Sequence, residues 1–120
     1  MENRHLCRAK NTHNHTWMKG YLVRIMYKSY IVSYGGVFSE VDPTTICHCT
    51  GRRDKDGKLI WENDIVIVPS NEEPCLLGWE DGDGCWSMEQ DGTVYTFDNF
   101  WSNEVEVIGN KFDNAELLEV

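Results

Sequence analysis

Short runs of β-branched and aromatic residues, each closed by a glycine, an Asp-Gly pair or a proline, recur along nearly the whole chain. Tyr21-Leu22-Val23-Arg24-Ile25-Met26-Tyr27 and Ser29-Tyr30-Ile31-Val32-Ser33-Tyr34 flank Lys28 and stop at Gly35-Gly36. Such runs suit a pleated, half-buried surface, and the glycines allow the backbone to reverse. A third strand is expected over 37–41, ended by Asp42-Pro43, and a fourth over 44–50. The polar segment 51–57 reads as a turn completed by Asp56-Gly57. Leu59-Ile60-Trp61 and Ile65-Val66-Ile67-Val68 read as strands around a turn at Glu62-Asn63-Asp64. Residues 69–74 read as a loop.

Beyond this loop an apolar run covers 75–79, and Asp81-Gly82-Asp83-Gly84 and Asp91-Gly92 bracket strands over 85–88 and 93–97. A last strand is expected over 104–108. At 113–120, Asp113 or Asn114 can cap a short helix carrying Glu116 in its first turn and Leu117 and Leu118 on its apolar face. The expected fold is therefore mainly β: short antiparallel strands forming an N-terminal β subdomain (1–50), a small SH3-like barrel (51–112) and a short C-terminal helix (113–120). At 120 residues and 41% hydrophobic content, one domain is the expectation.

The first ten residues are polar and lack the apolar stretch of an export signal, and no segment approaches the ~20 apolar residues of a membrane helix. These features point to a cytoplasmic protein with no membrane partner. Cys7, Cys47, Cys49, Cys75 and Cys85 are odd in number and too sparse for a disulfide scaffold, so reduced thiols are expected.

Charge is distributed unevenly. Residues 1–53 hold eight basic against three acidic side chains, a net of +5, and residues 54–120 hold three basic against seventeen acidic, a net of −14. Opposite signs on the two halves suit a partner-facing surface, and they suit equally an exterior that keeps the protein soluble.

Arg8-Ala9-Lys10, Gly20-Tyr21-Leu22-Val23, Glu40-Val41-Asp42-Pro43-Thr44-Thr45, Thr50-Gly51, Asp54-Lys55-Asp56-Gly57-Lys58, Glu62-Asn63-Asp64-Ile65-Val66, Glu106-Val107-Ile108-Gly109-Asn110 and Asp113-Asn114-Ala115-Glu116-Leu117-Leu118 follow one another along almost the whole chain. In these blocks and their order the chain resembles the YopX family of phage and prophage proteins. Asn63 and Ala115 stand where that family usually has Gly and Pro. Asn tolerates left-handed backbone and Ala is a good helix former, so both departures preserve the local geometry. The resemblance implies a phage or prophage origin, hence the cytoplasm of a bacterial host, and a predominantly β fold. It implies no reaction and no catalytic residues.

Cys47-His48-Cys49 is the most tempting cluster of metal-ligand residue types, with His5, Cys7, His13 and His15 also in the N-terminal half. One intervening residue is too few for a zinc knuckle, and on a strand the two cysteines face one side and the histidine the other. Core thiols and a surface imidazole are expected, with no metal and no cofactor. Asp54, Asp56 and Gly57 open like a calcium loop but lack its later carboxylates, and hairpin chemistry accounts for them. No phosphate-binding glycine loop, nucleophile elbow or paired-histidine helix is present, so the protein is not expected to be an enzyme.

Cations and rings interleave at Arg8, Lys10, Trp17, Lys19, Tyr21, Arg24, Tyr27, Lys28 and Tyr30. That mixture suits single-stranded nucleic acid, whereas the −14 half repels phosphate and rings at alternating strand positions are commonly core. The leading expectation is a non-enzymatic phage accessory protein that binds a host or phage protein. The alternatives are a nucleic-acid-binding module using the N-terminal half and an acidic mimic of nucleic acid. A homo-oligomer is also expected, with Arg4, Arg8, Arg52 and Arg53 as partner contacts at the rim of an apolar interface.

Overall fold

A computed structural model describes residues 5–33, 35–68, 71–80, 85–90, 92–96 and 104–118. The fold is mainly β, with antiparallel strands, and divides into two compact units, Met1–Cys49 and Thr50–Val120.

The first unit holds β1 (Cys7–Lys10), β2 (Trp17–Ile25), β3 (Lys28–Val32), β4 (Phe38–Val41), a 3-10 turn (Pro43–Thr45) and the first half of β5 (Cys47–Arg53), in the order β4-β3-β2-β1-β5. β2 pairs with β1 through Trp17 to Gly20 and with β3 through Tyr21 to Ile25. Gly20 stands at the changeover, where a β-carbon would run into the Val32 carbonyl. The sheet closes on itself: Val41 bridges Asn11, Thr12 N–H donates to Glu40 O at 3.0 Å, and Asp42 N–H donates to Lys10 O at 2.8 Å.

Closure gives each strand an inside and an outside, because side chains alternate along it. Cys7, Ala9, Ile31 and Val41 are buried inside, with Met18, Leu22 and Ile46 packed against them. The turn after β4 completes the closure. Asp42 caps it by accepting from Thr44 N at 2.9 Å and Thr44 Oγ1 at 2.7 Å, and the buried Thr45 hydroxyl accepts from Lys10 N at 2.8 Å.

In the second unit, the remainder of β5 forms a hairpin with β6 (Leu59–Trp61). It is followed by β7 (Asp64–Val68), β8 (Asn71–Glu80), β9 (Cys85–Gln90), β10 (Thr93–Thr96), β11 (Glu106–Asn110) and a 3-10 turn (Ala115–Leu118). The sheet order β10-β9-β8-β7-β11 is a meander whose last strand returns to its first, the strand order of a small SH3-like barrel. The first unit has the same order, so one topology occurs twice in the chain. Ile60, Val66, Cys75, Leu77, Met88 and Val105 form the core of the second unit.

Three buried or turn-forming polar side chains hold this unit's reversals. The Asp54 carboxylate accepts from Asp56 N and Lys58 N, each at 2.9 Å, and from Val107 N at 3.0 Å. Asp64, fully buried, accepts from Trp61 N at 2.8 Å across a turn in which Asn63 takes a φ of 71°. Asn114 accepts from Asn110 N at 3.2 Å, packed so closely on Gly109 that a β-carbon there would lie 2.6 Å from its Oδ1.

Several expected boundaries differ. The polar N-terminal segment contains β1, whose Ala9 is fully buried because β2 and β5 flank it. The strand expected from residue 44 begins at Cys47, since Asp42 and Pro43 first drive a 3-10 turn, and it runs on through the expected turn to Arg53. The expected loop 69–74 is strand from Asn71 onward, with Pro74 placed in a β-bulge opposite Ile67 where its missing N–H breaks no ladder bond. Among the described residues the C-terminal helix is a single 3-10 turn, Ala115–Leu118, in which Leu117 and Leu118 are half-buried, and Asn114, folded back onto Asn110, sets its start.

Candidate binding surface

The outer face of the first unit follows from the registers. Arg8 lies opposite Lys19 and Lys10 opposite Trp17, while Tyr21, Val32 and Phe38 form one cross-strand row and Val23, Tyr30 and Glu40 the next. Ile25 and Lys28 close the series beside the hairpin tip, Met26 and Tyr27. Seven of the nine interleaved cations and rings thus share one face. Arg24 falls on the opposite face, across from Ser29, and Tyr27 on the tip.

These rings are not core. Tyr21 is 57% exposed and Phe38 56%, and Met26 and Tyr27 are almost wholly exposed. Tyr30 meets Phe38 edge-on at 6.1 Å between centroids. The Arg8 guanidinium lies 4.6 Å from the centre of the Trp17 ring and Lys10 Nζ 5.4 Å from it, so the ring holds two cations at one end of the face. Lys28 Nζ is 3.8 Å from Glu40 Oε1, an exposed pair at the limit of contact that contributes little stability. Phe38 joins this face without a local sequence signal, because its place beside Tyr21 depends on β3 lying between them.

Of the arginines expected at a partner interface, Arg8 is half-buried on this face and Arg4 lies outside the described residues. Arg52 is half-buried and Arg53 exposed in the second unit, where Arg53 Nη1 donates to Gly57 O at 2.8 Å. The Arg53 side chain thus braces its own hairpin.

Cys47 and Cys49 are buried and His48 between them is exposed, the alternation a strand imposes. Among the described residues no three His, Cys, Asp or Glu side chains are grouped to hold a metal ion. All five cysteines are thiols, and burial, then the charge of Glu73, pushes the Cys75 thiol above its ordinary pKa.

The Asp54 carboxyl is held below the ordinary aspartate range: burial acts to raise it and is outweighed by the N–H donors of Val107, Lys58 and Asp56 and by the nearby Lys58 charge. Asp42 is also held low, first by the Thr44 hydroxyl and then by the Thr44 N–H. Both carboxylates serve turns. Asp64 and Asn114 hold turns in the same way, Thr45 ties β1 to the turn after β4, and Gly20 and Gly109 permit close packing within β2 and β11.

The family model described as YopX protein matches residues 2–119. Comparison with curated proteins gives no match.

Proposed function

The chain belongs to the YopX family, and on that premise we propose that it is a phage or prophage accessory protein of the bacterial cytoplasm that binds a macromolecule and catalyses no reaction. The observation that carries this reading is the outer face of the first unit, where large rings and aliphatic side chains stand exposed among cations instead of filling the barrel. Exposed apolar surface of this kind, edged by charge, suits a binding site.

Site-specific photo-crosslinking in the bacterial host tests it. A benzoylphenylalanine replacing Tyr21 should give discrete adducts, and the same probe replacing the exposed Thr93 of the second unit should not. Equal yields from both positions, or none from position 21, would remove the assignment of this face.

A further inference from the structure

Resting on that reading of the outer face, we infer that its partner is a single-stranded nucleic acid. The chain as a whole carries −9, yet among the described residues this face gathers Arg8, Lys10, Lys19 and Lys28 with one carboxylate, Glu40, which pairs with Lys28. A polyanion is the partner that such a local reversal of sign attracts.

The rings decide which polyanion. Consecutive outward positions on β2 lie about 6.6–6.8 Å apart, and along them Lys19 is followed by Tyr21. Phe38 stands in the same row as Tyr21, separated by Val32, and both expose more than half their surface. Exposed flat rings beside cations accept unpaired bases by stacking while the cations follow the phosphates. A duplex keeps its base faces internal and would leave these rings without a partner. An acidic protein would satisfy the cations without using the ring faces. The sequence alone favoured a protein partner because the −14 half repels phosphate and alternating rings are usually core; of these two objections the second does not hold here, where the core is made by Cys7, Ala9, Ile31 and Val41. Trp17, with Arg8 and Lys10 over its ring, keeps two of the cations gathered at one end of the face.

The acidic second half makes the affinity modest and strongly dependent on salt. Fluorescence anisotropy of labelled oligo-dT, oligo-rU and a blunt duplex of equal length provides the test, with the full chain as titrant. With three or four phosphates contacted, the single-strand association constant should fall about 20- to 50-fold between about 50 and 200 mM salt. Replacing both Lys19 and Lys28 by Glu should weaken single-strand binding at least about 10-fold at low salt and flatten that dependence. Tyr21→Ala should weaken binding at least about 5-fold. Tyr21→Leu should weaken it comparably while keeping apolar surface, and unchanged melting of both variants separates loss of stacking from loss of fold.

No anisotropy change with either single strand at low salt overturns the inference, as does tighter binding of the duplex or indifference to both Tyr21 variants. If crosslinks from position 21 then identify a protein, the face remains the binding site and the nucleic-acid assignment alone fails. If crosslinks fail as well, both readings fail.

Discussion

The Asp54 carboxylate accepts a hydrogen bond from the Val107 backbone N–H at 3.0 Å, joining residues 53 apart in the chain. Its other oxygen closes the hairpin turn through Asp56 N and Lys58 N. One buried side chain thus shapes a local reversal and anchors the last strand of the second unit to it, beside the Lys55 N–H donated to Val105 O at 2.9 Å.

Replacing Asp54 by Asn should therefore destabilise the protein on the order of 3 kcal/mol, since an amide offers one acceptor atom to three donors. The effect should depend on pH in a fixed direction. A carboxyl whose folded pKa is depressed contributes fully above its unfolded pKa, and that contribution is lost as pH falls through the folded value. The stability gap between wild type and Asp54→Asn should be largest near neutrality and shrink steadily below about pH 4. Urea unfolding at several pH values measures this, and a gap independent of pH would contradict the role given to the ionised form.

Gly109 and Asn114 form a second, local device at the end of β11. A β-carbon at Gly109 would lie 2.9 Å from Asn114 Cβ as well as 2.6 Å from its Oδ1, so the conflict cannot be relieved by rotating the amide alone. Gly109→Ala should cost about 1–3 kcal/mol, and Asn114→Ala should cost less, because it removes one accepted bond and leaves space. Placing Ala at both positions should recover part of the loss caused by Gly109→Ala. A strictly additive double variant in thermal melts would show that the two residues do not meet.

The turns were legible in the sequence because Asp, Asn, Gly and Pro act on their own neighbours: Asp42-Pro43, Asp56-Gly57 and Asn63 are all found reversing the chain. β1 was not legible. Its four residues, Cys7–Lys10, hold two apolar side chains and two cations, and their burial comes from β2 and β5 on either side. Pro74 pointed to a loop for a sound local reason and lies in a bulge that only the pairing of β7 with β8 reveals. The outer face was legible as a set of residue types and not as a surface. Whether Tyr21 points in or out depends on the register of β2 against β1 and β3, and a slip of one residue would exchange the two faces.

The thiols offer a test of both barrels together. Cys7, Cys47, Cys49 and Cys75 are buried and Cys85 is half-buried. Only the thiolate reacts, and burial holds the Cys75 thiol protonated at neutral pH. A chromogenic disulfide reagent should modify one thiol quickly in the native protein and the other four slowly, at rates set by unfolding, and should count five after denaturation. Two or more fast thiols would mean that one of the barrels is more open than its packing indicates.

The β2–β3 hairpin breaks a local rule at the edge of the candidate face. Its two-residue turn places Met26 at a φ of 57°, a position that hairpins with a positive φ at the first central residue usually give to Gly. Met gains nothing in return from packing, since it and Tyr27 are almost wholly exposed. Met26→Gly should thus stabilise the fold by about 1 kcal/mol, raising the melting temperature by roughly 3–5 °C, because the left-handed region costs a side chain that much. A stabilising change at a residue that supports no fold contact is expected to carry a functional cost when that residue serves binding. The same variant should accordingly lower the crosslinking yield from position 21. A higher melting temperature with undiminished crosslinking would leave the strained turn outside the binding site, and an unchanged or lower melting temperature would show that the backbone at Met26 is not strained.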